Sequence, residues 1–122
     1  MMKGIGIDII EIERIKDAIL SKDRFKDRFF TESEIAYCEL HKSPWVHYAG
    51  RFAAKEAIVK ALGTGFRGFK WQDIEIIKDE LGKPKVRLHN QANNLAKELG
   101  ITEIIISISH SRDYAVANAV VK

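Results

Sequence analysis

The chain has 122 residues, 46% of them hydrophobic and 30% charged, with 20 Lys plus Arg against 17 Asp plus Glu for a net charge of +3. It is too apolar for a disordered chain, too short for two ordinary domains, and has no run of the roughly 20 apolar residues that a membrane helix needs. The single cysteine, Cys38, excludes an internal disulfide framework and points to a reducing compartment. Asp8 breaks the apolar run that a secretory signal would need, and the mild positive charge does not require nucleic acid.

No repeat, low-complexity tract or Pro/Ser-rich linker divides the sequence, so residues 1–122 read as one domain. From Gly4 to Ile10, Ile5, Ile7 and Ile9 alternate with Gly6 and Asp8, the period of a strand with two distinct faces. Ile12, Ile15 and Ile19 then fall at helical spacing, predicting a helix over Glu11 to Leu20. The charged stretch from Ser21 to Arg28 reads as a loop or a further helical turn. Thr31-Glu32-Ser33-Glu34 is a capping box, so a helix is expected from about Glu32 to His41, ended by Pro44. Ala49 to Leu62 is the clearest helix, with Gly63 as its stop. Ile74 to Lys78 and Lys85 to His89 read as a hairpin around the Gly82-Lys83-Pro84 turn. A short helix over Gln91 to Leu99 precedes two more strands, Glu103 to Ser109 and Tyr114 to Val121. Antiparallel pairs with separate helices make an α+β fold.

Asp8 is a carboxylate inside an Ile-rich strand. Its face is either exposed or supplied with a partner, because a bare buried carboxylate is costly. Glu56 and Lys60 lie four apart on one helix face, either as an ordinary surface ion pair or as part of a site. In the second reading Asp8 and Glu56 are hard oxygen ligands for Mg²⁺, and Lys60 faces phosphates or a leaving group. The run Gly63-Thr64-Gly65-Phe66-Arg67-Gly68 matches a dinucleotide fingerprint in letters only, since it follows a helix. It reads as a glycine cap and loop, or as backbone that approaches a phosphate closely. Ser109-His110-Ser111 lacks a nucleophile elbow and is a turn or a polar strand end near an anion. His41, His47 and His89 have no zinc spacing. The basic segment with Arg14, Arg24 and Arg28, diluted by Asp17, Asp23 and Asp27, is a solvated face or a dock for an acidic protein anchored by Phe25 and Phe29.

Three separated segments share one resemblance: Gly4-Ile5-Gly6-Ile7-Asp8-Ile9, Gly50-Arg51-Phe52-Ala53-Ala54-Lys55-Glu56-Ala57 and Ser107-Ile108-Ser109-His110-Ser111. The chain resembles, over essentially its whole length, the short bacterial-type 4'-phosphopantetheinyl transferases, the holo-[acyl-carrier-protein] synthases. The resemblance implies transfer of the phosphopantetheine arm of coenzyme A to a serine of apo acyl carrier protein, with release of adenosine 3',5'-bisphosphate, in cytoplasmic fatty acid biosynthesis. It implies Mg²⁺ on Asp8 and Glu56 and a leaving-group role for Lys60. Arg51, Lys60, Gly63, Thr64, Gly65, Lys83, Pro84 and His110 would line the coenzyme A groove. Arg14, Arg24, Phe25 and Arg28 would dock the carrier. A homotrimer with sites between subunits is also implied, with no nucleic acid or membrane partner. The readings weighed against it are a non-catalytic module that binds an acidic partner, and a regulator that holds coenzyme A without transfer. Two acids beside glycine loops and a lysine favour the enzyme.

Overall fold

The computed structural model describes residues 1–65 and 68–122; Phe66 and Arg67, in the middle of the glycine run, lie outside the described residues. In chain order the elements are β1 (Gly4–Glu11), α1 (Ile12–Ser21), α2 (Phe25–Phe29), α3 (Glu32–Glu39), α4 (Trp45–Leu62), β2 (Ile74–Lys78), β3 (Pro84–Leu88), α5 (Asn90–Glu98), β4 (Ile104–His110) and β5 (Tyr114–Val121), with a 3-10 turn at Trp71–Asp73. The α+β class read from the sequence is the class observed.

Strands β1, β5 and β4 form one antiparallel sheet in that order, and β2 pairs with β3 in a separate hairpin. The long helix α4 lies across one face of the sheet and also touches β2. The contact is made by very small residues. Ala115, Ala117 and Ala119 of β5 and Ala53, Ala54, Ala57 and Ala61 of α4 are all buried. At Gly6 a β-carbon would stand 2.0 Å from the Ala57 carbonyl oxygen, and at Gly4 2.1 Å from that of Ala61. Helix backbone and strand backbone are thus in direct contact, which no residue larger than glycine permits.

This inverts one reading of the first strand. Gly4, Gly6, Asp8 and Ile10 alternate toward α4, so Asp8 does not sit on a free surface. Ile5, Ile7 and Ile9 point the other way and are 62–63% exposed. The strand register extends that outer face into cross-strand rows, Ile5–Val120–Ile105, Ile7–Asn118–Ser107 and Ile9–Val116–Ser109. The period was legible, but period alone does not say which face the helix covers.

Around the N-terminus of α3 the chain builds a buried polar hub. The Thr31 hydroxyl accepts from Glu34 N–H, and Glu34 Oε1 accepts from Thr31 N–H at 2.8 Å, the reciprocal capping box expected from the sequence. Glu34 also pairs with Lys55 Nζ at 2.7 Å, both side chains fully buried, and accepts from Ile76 N–H at 2.9 Å. Lys55 donates further to the carbonyls of Phe29 and Trp71, so every proton of its ammonium has an acceptor. This hub ties α3, α4 and β2 together. Sequence reasoning missed it, because residues 21 apart in the chain carry no pairing signal.

Two boundaries differ from expectation. Helix α4 begins at Trp45, four residues before the expected start, with Pro44 at its N-cap; Pro44 therefore opens α4, and α3 already ends at Glu39. A proline's fixed φ suits a helix start, so the residue read as a stop is a start. The charged stretch after α1 does form a helical piece, the five-residue α2.

Candidate active site

Asp8 projects from the middle of β1 beside the end of the glycine contact, with its side chain 16% exposed. Lys60, on the last turn of α4, reaches back across that contact. Its ammonium lies 3.1 Å from Asp8 Oδ1 and 2.9 Å from the Ile7 carbonyl oxygen. Lys60 thus pairs across the fold with the strand, which the helical spacing of Glu56 and Lys60 did not anticipate. Glu56, one turn earlier on α4, is partly buried next to the same carboxylate. Burial foremost, and then the charge of Asp8, hold the Glu56 carboxyl above its usual range, while Lys60 pulls it back only in part.

Asp8 and Glu56 thus put two hard oxygen donors side by side. Lys60 already neutralises part of the charge, and a divalent ion would more than offset the rest, leaving the corner attractive to a phosphate. Among the described residues no group of three or more His, Cys, Asp and Glu forms a closed cage. Two carboxylates with open positions suit Mg²⁺, which keeps several waters and shares its shell with substrate phosphates, better than a structural metal that needs full protein coordination. The donor set therefore fits the expected ion. Close by, α4 ends on Gly63 in the left-handed conformation at φ 75°, and Gly65 repeats it at 71°. A β-carbon at either would meet nothing within 4 Å, so this backbone edge, with the Thr64 hydroxyl between, is open to a ligand.

The remaining predicted groove residues sit elsewhere. Arg51, Pro84 and His110 line a cleft of about 250 Å³ between α3, α4, the β2–β3 turn and the end of β4, together with Tyr37, His47, Lys78 and Gly82. Asp8, Glu56, Lys60 and the Gly63–Gly65 edge do not line this cleft. Arg51 and Glu56 are five residues apart on α4, which at 100° per residue turns them well away from each other. One copy of the chain thus carries an acid–lysine corner and a separate basic cleft. Lys83 is exposed in the hairpin turn, where its backbone N–H, like that of Leu81, donates to Asp79 Oδ1 at 2.9 Å.

On the opposite flank, Arg14 of α1 and Phe25 of α2 border a hollow of about 350 Å³ floored by Ile15 and Phe52. Phe25 also borders a second hollow of about 300 Å³ with Arg24, Arg28 and Phe29. The four residues expected to dock a partner are therefore neighbours, and a stack of Phe25, Phe29, Phe52 and Trp71 runs beneath them. Sequence reasoning passed over Tyr37, His47 and Lys78 in the basic cleft. The one available signal was that His41 and His47 flank Pro44, the point where α3 turns into α4.

The family model described as the 4'-phosphopantetheinyl transferase superfamily matches residues 4–119. A holo-[acyl-carrier-protein] synthase of Alkaliphilus oremlandii is 56% identical over 120 residues, covering 98% of each chain. The crystal structure of holo-[acyl-carrier-protein] synthase from Neisseria meningitidis superposes with a TM-score of 0.91 at 35% identity, covering 100% of this chain and 99% of that one. The Helicobacter pylori holo-[acyl-carrier-protein] synthase, solved in complex with coenzyme A, superposes at 0.82 with 37% identity, covering 97% of this chain and 99% of that one. With the acid–lysine corner and the basic cleft carried on the same small α+β frame, the chain belongs to the 4'-phosphopantetheinyl transferase superfamily and is an enzyme of its holo-[acyl-carrier-protein] synthase family.

Proposed function

We propose that the protein moves the 4'-phosphopantetheine group of coenzyme A to a serine hydroxyl of an apo acyl carrier protein, with Mg²⁺, and releases adenosine 3',5'-bisphosphate. The serine oxygen forms a new bond to the phosphorus that carries pantetheine. The bond from that phosphorus to the bridging pyrophosphate oxygen breaks, the leaving phosphate takes the electron pair, and the serine proton passes to a base or to solvent. Such a displacement needs positioning and charge neutralisation more than a protein nucleophile. The observation that carries the reading is the corner in which Lys60 pairs with Asp8 at 3.1 Å while burial, and then the charge of Asp8, raise the carboxyl of Glu56.

In this reading Asp8 and Glu56 hold Mg²⁺, which when bound supplies electrostatic stabilisation of the pyrophosphate oxygens. Lys60, already anchored on the Ile7 carbonyl, stays aimed at the departing phosphate. The open backbone of Gly63, Thr64 and Gly65 admits phosphate oxygens, and Arg51, Lys83, Pro84 and His110 receive the nucleotide end. Arg14, Arg24 and Arg28 meet the acidic carrier, with Phe25 as an apolar anchor. The single domain 1–122 works as a homotrimer. Two features support this assembly: the outer sheet face with three exposed isoleucines, and the separation of corner and cleft on one copy. A neighbour's cleft facing this copy's corner would complete a groove. No helix of the described residues is long and apolar enough to cross a membrane. A cytoplasmic place in fatty acid biosynthesis accords with the lone reduced Cys38.

The test is direct. The protein is incubated with coenzyme A, MgCl₂ and apo acyl carrier protein, and the carrier is weighed by mass spectrometry. Gain of one phosphopantetheinyl group, abolished by EDTA, is the expected result. No gain with several carriers would overturn the reading.

A further inference from the structure

At the edge of the basic cleft, where His47 lines it, is a feature that the transfer chemistry does not use. His41 and His47, brought together by the turn at Pro44, stack ring on ring with centroids 3.7 Å apart and planes 27° apart. Tyr37 closes the pair edge-on, 4.8 Å from His41 and 5.7 Å from His47. His41 Nδ1 lies 3.0 Å from the Tyr37 carbonyl, an acceptor only, so that nitrogen carries a proton and the ring is fixed in place. On its other side the Tyr37 ring is covered by Arg51 at 4.1 Å and Lys78 at 4.9 Å. Arg51 is only 5% exposed, yet its Nε has no hydrogen-bond partner.

The cleft's described lining residues include His47, Arg51, Lys78 and His110 and no carboxylate. Beside the Tyr37 ring, the charges that bear on His47 among the described residues are cationic: His41 beside Pro44 when protonated, Arg51 on α4, Lys78 on β2 and His110 on β4 when protonated. Burial foremost, and then these neighbours, push the His47 imidazole down to about 4. Two stacked rings cannot both be charged cheaply in such company, so the His47 ring is uncharged at neutral pH. A phosphate dianion entering the cleft reverses the balance, because each phosphate charge favours the protonated ring.

We propose that the His41–His47 stack is a proton-loading element of the cleft: a phosphomonoester group seated beside Arg51 and Lys78 draws a proton onto the stack, and the new imidazolium tightens its grip. The inference rests on the reading above that coenzyme A uses this cleft, and it makes His47 a residue that tunes substrate affinity with pH. His47 lies in the cleft, apart from the acid–lysine corner, so its loss is expected to act on KM and leave kcat nearly unchanged.

Binding of coenzyme A to the full chain is measured by titration calorimetry in two buffers of different ionisation enthalpy, at about pH 6.5 and about pH 8. The phosphomonoester itself titrates near pH 6, so the comparison that counts is wild type against His47→Phe, which keeps a ring, and His47→Gln, which keeps a polar group. Expected is an uptake of protons at about pH 6.5 that is larger in the wild type than in either variant, and a KM for coenzyme A raised roughly tenfold in both variants at that pH, with the gap narrowing at about pH 8. Equal proton uptake in all three proteins, or a KM gap that does not change with pH, would overturn the proposal. If the wild type binds no coenzyme A at either pH, the substrate reading itself fails and this inference falls with it.

Discussion

Lys60 and Asp8 face each other across the contact of α4 with β1, Nζ to Oδ1 at 3.1 Å, and the same ammonium is tethered to the Ile7 carbonyl. The pair leaves Glu56 as the less compensated acid of the corner. Burial and Asp8 raise its pKa. A carboxyl raised in the folded state contributes its stability below the unfolded value, and that stability is lost as pH rises through the folded value. At neutral pH the charged Glu56 therefore weakens the metal-free protein. Glu56→Gln is expected to raise the thermal midpoint by a few degrees near pH 7 and to give no gain near pH 4. MgCl₂ should stabilise the wild type and not the variant. Calorimetric scans with and without MgCl₂ check both parts, and a variant that transfers at the wild-type rate would refute the metal assignment.

Gly6→Ala is expected to cost about 3 kcal/mol or more, because its β-carbon would meet the Ala57 carbonyl at 2.0 Å and neither backbone has room to yield. Gly63→Ala is the contrast. There the space is open and only the left-handed φ of 75° opposes the change, so about 1–2 kcal/mol is expected. Urea unfolding of the two variants ranks them.

Removing one partner of the buried Lys55–Glu34 pair strands a charge. Burial already lowers the Lys55 pKa against the pull of Glu34, so the buried ammonium depends on its partner. Lys55→Met is expected to cost about 3–5 kcal/mol. Adding Glu34→Leu should recover part of this and not all, since Glu34 also accepts from Thr31 N–H and Ile76 N–H. A double-mutant cycle in urea measures the coupling. A single variant as stable as wild type would mean that the ammonium contributes nothing.

Ile7 lies on the edge strand β1 in the middle row of the outer sheet face, 62% exposed. If that face joins copies of the chain, Ile7→Glu should shift sedimentation toward the monomer and abolish transfer, while far-ultraviolet dichroism is unchanged. A variant that sediments like the wild type would remove this face from the assembly.

Arg14 and Arg24 border the two hollows that share Phe25. Replacing both with Ala should raise KM for the carrier protein at least several-fold and leave that for coenzyme A nearly unchanged, with the difference fading at high salt. Equal effects on both substrates would contradict a docking role.

Most of the architecture was legible because local rules governed it. The capping box at Thr31 and Glu34, the Gly63 stop and the turn at Gly82 each act within a few residues, and each formed where expected. What escaped was decided by contacts distant in sequence. The outward isoleucines of β1 follow from α4 claiming the glycine side. The Lys55–Glu34 hub, the His41–His47 stack and the choice of Asp8 over Glu56 as partner for Lys60 all join residues whose proximity only the fold creates. The acids and the lysine of the corner were identifiable by chemical type and by family resemblance. Their division from Arg51 and His110 was not, because it depends on how far α4 rotates between neighbouring side chains.

The glycines of β1 have an effect beyond economy of space. Where side chains separate two elements, a substitution elsewhere in the core is absorbed by repacking and the gap drifts. Here strand and helix rest backbone on backbone at Gly4 and Gly6, two residues short of Asp8 and within one turn of Glu56. The interval between the backbones that carry the two carboxylates is therefore gauged by peptide atoms, which do not change rotamer. Core substitutions can loosen the hairpin or the small helices while that interval holds, so stability and the spacing of the acids are free to vary separately in this chain.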